Sequence, residues 1–389
     1  MANPFRLHVK GSETRQFSPQ ECARVYRLHR SLPGYTATPL QRLSGLAGRL
    51  GVAEIWVKDE SHRFGLNAFK ALGASYAISS LLLGREDDLV FDHVQARVSS
   101  GQLSRPTFVT ATDGNHGRAV AWMAQLLGVN SVVYLPYGSQ QVRVDAIRAH
   151  GAHVEVLAGN YDDAVKHAAN QAGKNGWTLI QDTAWRDYTS VPLSIMQGYS
   201  TLLAEVFEQI EGETPTHVFL QAGVGSLAAA IQAVLIERYG NRGPNVIIVE
   251  PEGADCFFQS IHGTDGEPHV IEGHLDTSMA GLSCGTTSSL AWPIIRDYSA
   301  FFFKCKDEVT ETGMRILSSP IDADQKIISG ESGAVTTGLL VELMENKANR
   351  DLAEAMSLGP ESKILLFSTE GDTDPDNFRR VTMPGVMPA

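Results

Sequence analysis

Lys70 stands in a run that is otherwise small and largely apolar, Asn67-Ala68-Phe69-Lys70-Ala71-Leu72-Gly73-Ala74. A strand over Glu54–Val57 leads into a turn, and Asn67, a good cap type, predicts a helix start with Lys70 in its first turn. An amine placed there is partly desolvated, which lowers its pKa and suits Schiff-base chemistry. Taken alone, the commoner reading is a solvated helix lysine. Three more strings have the composition of binding loops. Thr110-Ala111-Thr112-Asp113-Gly114-Asn115-His116-Gly117-Arg118 follows a strand and opens a helix. Backbone N–H groups at such a start hold a carboxylate or phosphate, and Asp113 and Asn115 project into the same space. Asp113 as a plain helix cap is the alternative.

Gln221-Ala222-Gly223-Val224-Gly225-Ser226-Leu227-Ala228 also joins a strand to a helix. Its glycines admit close backbone approach to a phosphate, and the helix start adds partial positive charge. The string also fits the dinucleotide fingerprint G-x-G-x-x-A, with Glu250 ending the next strand, so an NAD-binding Rossmann oxidoreductase competes on this piece. Ser368-Thr369-Glu370-Gly371-Asp372-Thr373-Asp374 follows the last strand. Its hydroxyls could bond a heteroaromatic nitrogen or simply line a polar exit loop.

The elements that must position these loops alternate. Strand-like runs Thr107–Ala111, Ser131–Leu135, His153–Leu157 and Trp177–Gln181 are separated by helical stretches Gly117–Leu127, Gln141–His150 and Tyr161–Ala172. A second series runs through strand His217–Gln221, helix Leu227–Tyr239, strands Val246–Glu250 and Phe301–Cys305, a helix after Glu331 and strand Ile364–Phe367. Helix-length crossovers imply parallel strands. The expected fold is α/β with two lobes, each a twisted, mostly parallel sheet flanked by helices, and a cleft between them at the strand C-termini. Residues 1–88 and 190–389 are assigned to a large cofactor-binding domain and 89–189 to a small one. Gly84–Pro106, polar and without a period, reads as a linker or excursion.

The 389 residues suit about two domains, and 43% hydrophobic residues are ample for a core. A net charge of -12 with no Lys/Arg run argues against a nucleic-acid partner. Met1–Pro33 has no apolar stretch long enough for a signal segment or a membrane span. Four cysteines with no C-x-x-C pair point to a reduced, cytoplasmic setting, and no metal is expected. Cys256 and Cys284 flank Gly/Ala-rich segments; a reversible disulfide between them is weighed against two separate buried thiols.

In this order the strings resemble the fold-type-II pyridoxal-phosphate enzymes, and within that class the diaminopropionate ammonia-lyase family. The strings that carry the resemblance are R-F-G-L-N-A-F-K (Arg63–Lys70), T-A-T-D-G-N-H-G-R (Thr110–Arg118), Q-D-T-A-W (Gln181–Trp185), A-G-V-G (Ala222–Gly225), I-I-S-G-E-S-G-A-V (Ile327–Val335) and S-T-E-G-D-T-D (Ser368–Asp374). It runs from Pro33 to Asp374. What it implies is pyridoxal 5'-phosphate as cofactor and conversion of 2,3-diaminopropionate to pyruvate and two ammonia by a homodimer. Lys70 would carry the cofactor and act as acid and base. Asn115 would bond the cofactor's phenolic oxygen, and Gly223, Val224, Gly225 and Ser226 would surround its phosphate. Ser368, with Thr369 beside it, would face the pyridine nitrogen.

Asp113 departs from the general class, whose dehydratase members usually carry Ser at this loop position. A carboxylate there is a stronger base and, with Asp182, a partner for the substrate's second ammonium. The expected catalytic set is therefore Lys70, Asp113 and Asp182, and the substrate set Thr112, Asp113, Gly114 and Asp182. A serine/threonine dehydratase or a β-replacing synthase is the runner-up within the class.

Overall fold

The computed structural model describes residues 1–6, 13–84, 89–103, 105–263, 265–273 and 275–383. Ten strands are assigned among them: β1 (Leu40–Arg42), β2 (Glu54–Asp59), β3 (Thr107–Ala111), β4 (Asn130–Leu135), β5 (His153–Val156), β6 (Thr178–Leu179), β7 (His217–Gln221), β8 (Asn245–Pro251), β9 (Phe301–Cys305) and β10 (Lys363–Ser368). They form a six-stranded sheet in the order β1-β2-β10-β7-β8-β9 and a four-stranded sheet in the order β5-β4-β3-β6. Every pairing is parallel except β1 with β2.

Parallel strands covered on both faces read as unbroken apolar runs, and β7 and β8 show why. Val218, Leu220, Val246 and Ile248 pack into one core cluster, while Phe219, Ile247 and Val249 point the other way into a second. Alternate residues thus serve helices on opposite faces of one sheet. The helix Ser226–Tyr239 is buried along most of its length and carries the Gly-rich loop at its N-terminus.

The helix bearing Lys70 spans Lys70–Leu83 and is apolar on nearly every side. It crosses the helix Ser190–Gly198 at glycines: a Cβ on Gly198 would lie 2.4 Å from the Leu72 carbonyl oxygen, and one on Gly73 would lie 2.6 Å from Tyr199. The segment leading into it is held by buried charges. Arg63 meets Glu60 at 2.8 Å and Glu205 at 2.7 Å, and Lys58 meets Glu205 at 2.7 Å, all with side chains at 0% exposure. Two cations and two carboxylates balance, which is what lets such a cluster stay buried. Phe64 and Asn67 beyond it adopt positive φ of 50° and 59°.

Three elements differ from expectation. The helix starts at Lys70 rather than at Asn67, whose side chain donates to Asp372 (3.1 Å) instead of capping. The strand expected over Trp177–Gln181 shortens to Thr178–Leu179. Gly84–Pro106 contains a helix, Phe91–Ser99, that buries Phe91, Val94 and Val98, a helical spacing. Residues 85–88 and 104 of that stretch lie outside the described residues.

Candidate active site

The loops after β3, β7 and β10 and the start of the Lys70 helix open onto one cavity, lined by Lys70, Asp113, Asn115, Tyr161, Asp182, Gly223–Ser226, Thr369 and Glu370 among others. Lys70 Nζ donates to Asp182 Oδ2 at 2.5 Å. Asp182 Oδ1 accepts from the Tyr161 hydroxyl (3.2 Å) and Gln181 Nε2 (3.4 Å), and His116 Nδ1 lies 3.9 Å from Oδ2. Burial opposes the Asp182 charge, but the Lys70 ammonium beside it holds the carboxylate well below the usual range. Burial likewise opposes the Lys70 ammonium, and the Asp182 charge outweighs it, so Lys70 lies above the ordinary lysine value. This overturns the lowered pKa expected from the apolar segment. The segment is apolar, yet the partner arrives from 112 residues away.

Asp113 is half-buried on the same cavity. Burial pushes its carboxyl up to about 7, against the nearby Arg143 and with the repulsion of Asp182. A group poised there takes and returns protons at neutral pH. Capping falls to Thr112 instead: its Oγ1 accepts the N–H of Gly114 (2.9 Å) and of Gly117 (3.0 Å). The cap alternative for Asp113 is thereby removed.

Asn115 begins the helix Asn115–Leu127, and its Nδ2 donates to Glu370 Oε2 at 2.5 Å. Glu370 Oε1 accepts the Ser332 N–H at 3.1 Å. Glu370, Tyr161 and Arg143 join the cavity wall without a role expected from the sequence. The available signal for Glu370 was a carboxylate just past a strand end in a hydroxyl-rich loop. The two hydroxyls expected at the pyridine end are placed differently. Ser368 donates to Ser329 Oγ at 2.8 Å and is absent from the cavity wall among the described residues, whereas Thr369 lines it and accepts from Gln221 Nε2 at 3.0 Å.

Gly223–Ser226 curve around the far end. Gly225 sits at φ +91°, where a Cβ would fall 2.3 Å from the Phe257 ring, and a Cβ on Gly223 would lie 3.1 Å from the Gly281 carbonyl oxygen. The first amides of the helix Ser226–Tyr239 have no intrahelical acceptor and suit a phosphate. Ser226 Oγ donates to the Asp182 carbonyl at 2.6 Å, tying this loop to the lysine's partner. Glu250 is not free to meet a ribose. It is buried, accepts the amides of Phe257 (2.8 Å) and Phe258 (2.7 Å), and burial pushes it up to about 8. The nicotinamide alternative loses its acidic residue. All four cysteines are free, so the disulfide weighed for Cys256 and Cys284 is not formed; Cys284 lines the cavity.

A reactive amine, an asparagine amide, a glycine cradle that any side chain would fill and a hydroxyl share this one cavity, and they fit pyridoxal phosphate. Gly225→Ala should cost roughly 1–2 kcal/mol for the left-handed backbone alone, plus the Phe257 clash. Its expected signature is weaker cofactor uptake, read as visible absorbance against added pyridoxal phosphate; unchanged affinity would remove the cradle from the site.

Fold and site together define a pyridoxal-phosphate-dependent enzyme, and residues 32–365 match the family described as "Pyridoxal-phosphate dependent enzyme". A diaminopropionate ammonia-lyase of Salmonella typhimurium is 46% identical over 369 residues, covering 93% of this chain and 91% of the relative. The crystal structure of the Escherichia coli diaminopropionate ammonia-lyase in complex with D-serine superimposes with a TM-score of 0.92 at 42% identity, covering 99% of this chain and 96% of that one. The same enzyme in complex with an aminoacrylate-PLP azomethine reaction intermediate gives 0.89 at 42% identity, with the same coverage. The chain belongs to the diaminopropionate ammonia-lyase family.

Proposed function

We propose that this chain eliminates ammonia from 2,3-diaminopropionate, yielding pyruvate and two ammonia with pyridoxal phosphate as cofactor. The observation that carries the reading is the pair of carboxylates, Asp113 and Asp182, on the cavity that holds Lys70. The substrate's second amino group calls for an anion that a hydroxy amino acid does not need, and Asp182 offers one while Asp113 is left for proton transfer. In this reading Lys70 holds the cofactor, Gly223–Ser226 its phosphate and Asn115 its phenolic oxygen, while Thr369 rather than Ser368 takes the ring nitrogen. Glu370 fixes the Asn115 amide so that its orientation is set before anything binds. The bound cofactor supplies the electron sink for loss of the substrate's Cα proton.

The protein's own groups handle the protons. Once the Lys70 amine is engaged elsewhere, the substrate's β-ammonium takes its place beside Asp182 and keeps that buried carboxylate charged. The β-ammonium departs as ammonia only if it leaves protonated, and an anion beside it keeps the proton in place. Lys70 and Asp113 are the acceptors for the Cα proton. The reading includes a homodimer in the cytoplasm, a compartment where four free thiols stay reduced. Among the described residues no helix is long and apolar enough to cross a membrane.

The test is pyruvate formation from diaminopropionate beside L-serine and L-threonine. The kcat/KM for diaminopropionate is expected to exceed the others by roughly a hundredfold or more, as for a site whose buried polar groups would be left unpaired by the wrong substrate. Faster turnover of serine or threonine would return the protein to the dehydratases.

A further inference from the structure

Gln221 closes β7 and lines the cavity, and the scheme above gives it no part. It is buried, at 2% exposure. Its amide nitrogen stands among three oxygens: the Phe367 carbonyl at 2.9 Å, the Ser332 carbonyl at 3.1 Å and Thr369 Oγ1 at 3.0 Å. Phe367 belongs to β10 and Ser332 to the first turn of the helix Glu331–Glu345. One side chain thus ties two elements of the large sheet and a covering helix to the start of the Ser368–Asp374 loop.

The two carbonyls decide which way round the amide lies. A carbonyl oxygen only accepts, so the nitrogen faces both, and the reversed amide would set Oε1 against them. Oε1 is accordingly buried with no donor among the described residues, a costly arrangement that the carbonyls impose. Two amide hydrogens are then shared among three acceptors. Thr369 Oγ1 meets a nitrogen that donates and has no lone pair to offer, so on that side the hydroxyl accepts and its own proton turns elsewhere. Among the described residues no group takes that proton, and Thr369 lines the cavity. Ser368 is under no such constraint: its hydroxyl donates to Ser329 Oγ at 2.8 Å.

We propose that Gln221 is a positioning residue whose amide fixes the Thr369 hydroxyl as a donor aimed into the cavity, toward the cofactor's ring nitrogen. The assignment rests on the reading in which Thr369 takes that nitrogen. A hydroxyl free to rotate offers its lone pairs as readily as its proton. One whose oxygen already takes an amide proton presents a donor before anything binds.

Cofactor isotope-labelled at the ring nitrogen, followed by NMR of the holoenzyme, reads this hydrogen bond directly. Loss of visible absorbance on dilution of the holoenzyme reads its strength. Thr369→Val should move the nitrogen resonance toward that of a nitrogen with no donor beside it and weaken cofactor binding roughly tenfold, the upper scale of one neutral hydrogen bond. Gln221→Glu keeps the shape but puts carboxyl oxygens where the amide stood, so the Thr369 proton turns back to them. The resonance should move the same way and the affinity fall by a similar factor. Gln221→Leu removes the donor and adds no acceptor, and its resonance should lie between wild type and Thr369→Val. With Thr369→Val already in place, either Gln221 change should cost no more than about a further twofold, because the hydroxyl it acts on is gone. Equal losses with and without that hydroxyl would make Gln221 a structural support of the strand end and overturn the assignment. A resonance unmoved in both Gln221 variants but moved in Thr369→Val would overturn it too. A resonance unmoved by Thr369→Val would instead overturn the reading of Thr369 itself, and the role of Gln221 with it.

Discussion

Lys70→Ala should give a folded protein that no longer fixes pyridoxal phosphate covalently and turns over diaminopropionate at least about a thousandfold more slowly. Proton transfer by one positioned group is worth roughly 10²–10⁴ in rate, and Lys70 is assigned covalent attachment as well. The fold should survive because the deletion strands only one charge. Asp182 loses its ammonium but keeps the Tyr161 hydroxyl and Gln181 Nε2. A buried carboxylate left half-partnered costs about 3–5 kcal/mol at most, visible as a lower Tm with native circular dichroism. Borohydride reduction of the wild-type holoenzyme followed by peptide mapping should mark Lys70. A different marked lysine would displace the whole reading of the cavity, since Asp182 and the glycine cradle are assigned by their relation to this one amine.

How far the sequence carried the argument depends on how local each signal is. The strands of both sheets print as apolar runs because helices cover both faces, so β3, β4, β7, β8 and β10 were legible within a residue or two. The glycine loops were legible for the same reason: the conformation that needs Gly225 is written into one residue. The Lys70–Asp182 pair was not, because its members lie 112 residues apart and either, read alone, has an ordinary interpretation. Ser368 and Thr369 illustrate a sharper limit. Successive residues at a strand end face opposite ways, so composition alone leaves open which of the two hydroxyls meets the cofactor. The Phe91–Ser99 helix was missed because charges and glycines around it mask a three-residue apolar stripe.

Replacing Asp113 with Asn should separate the two stereoisomers of the substrate. Lys70 comes from the helix that follows β2 in the large sheet, and Asp113 from the loop after β3 in the small one, so the two groups enter the cavity from opposite lobes. An α-carbon held between them presents its proton to one or the other according to configuration. We assign Lys70 to the L isomer and Asp113 to the D isomer, which makes both substrates. The Asn variant keeps the shape and removes the base, so kcat on the D isomer should fall roughly a hundredfold or more, while the L isomer suffers less. The pH dependence gives an independent reading. Asp113 must be ionised to accept a proton, and burial, opposed by the Arg143 charge and helped by that of Asp182, places its carboxyl at about 7. Wild-type activity on the D isomer should therefore climb as pH rises through about 7 and level off above it, and that limb should vanish in the variant. Equal losses on both isomers would instead make Asp113 a shared binding group for the departing ammonium. A wild type inert toward the D isomer would leave Lys70 as the sole base, with the buried carboxyl at Asp113 serving only as the acid that keeps the leaving amine protonated.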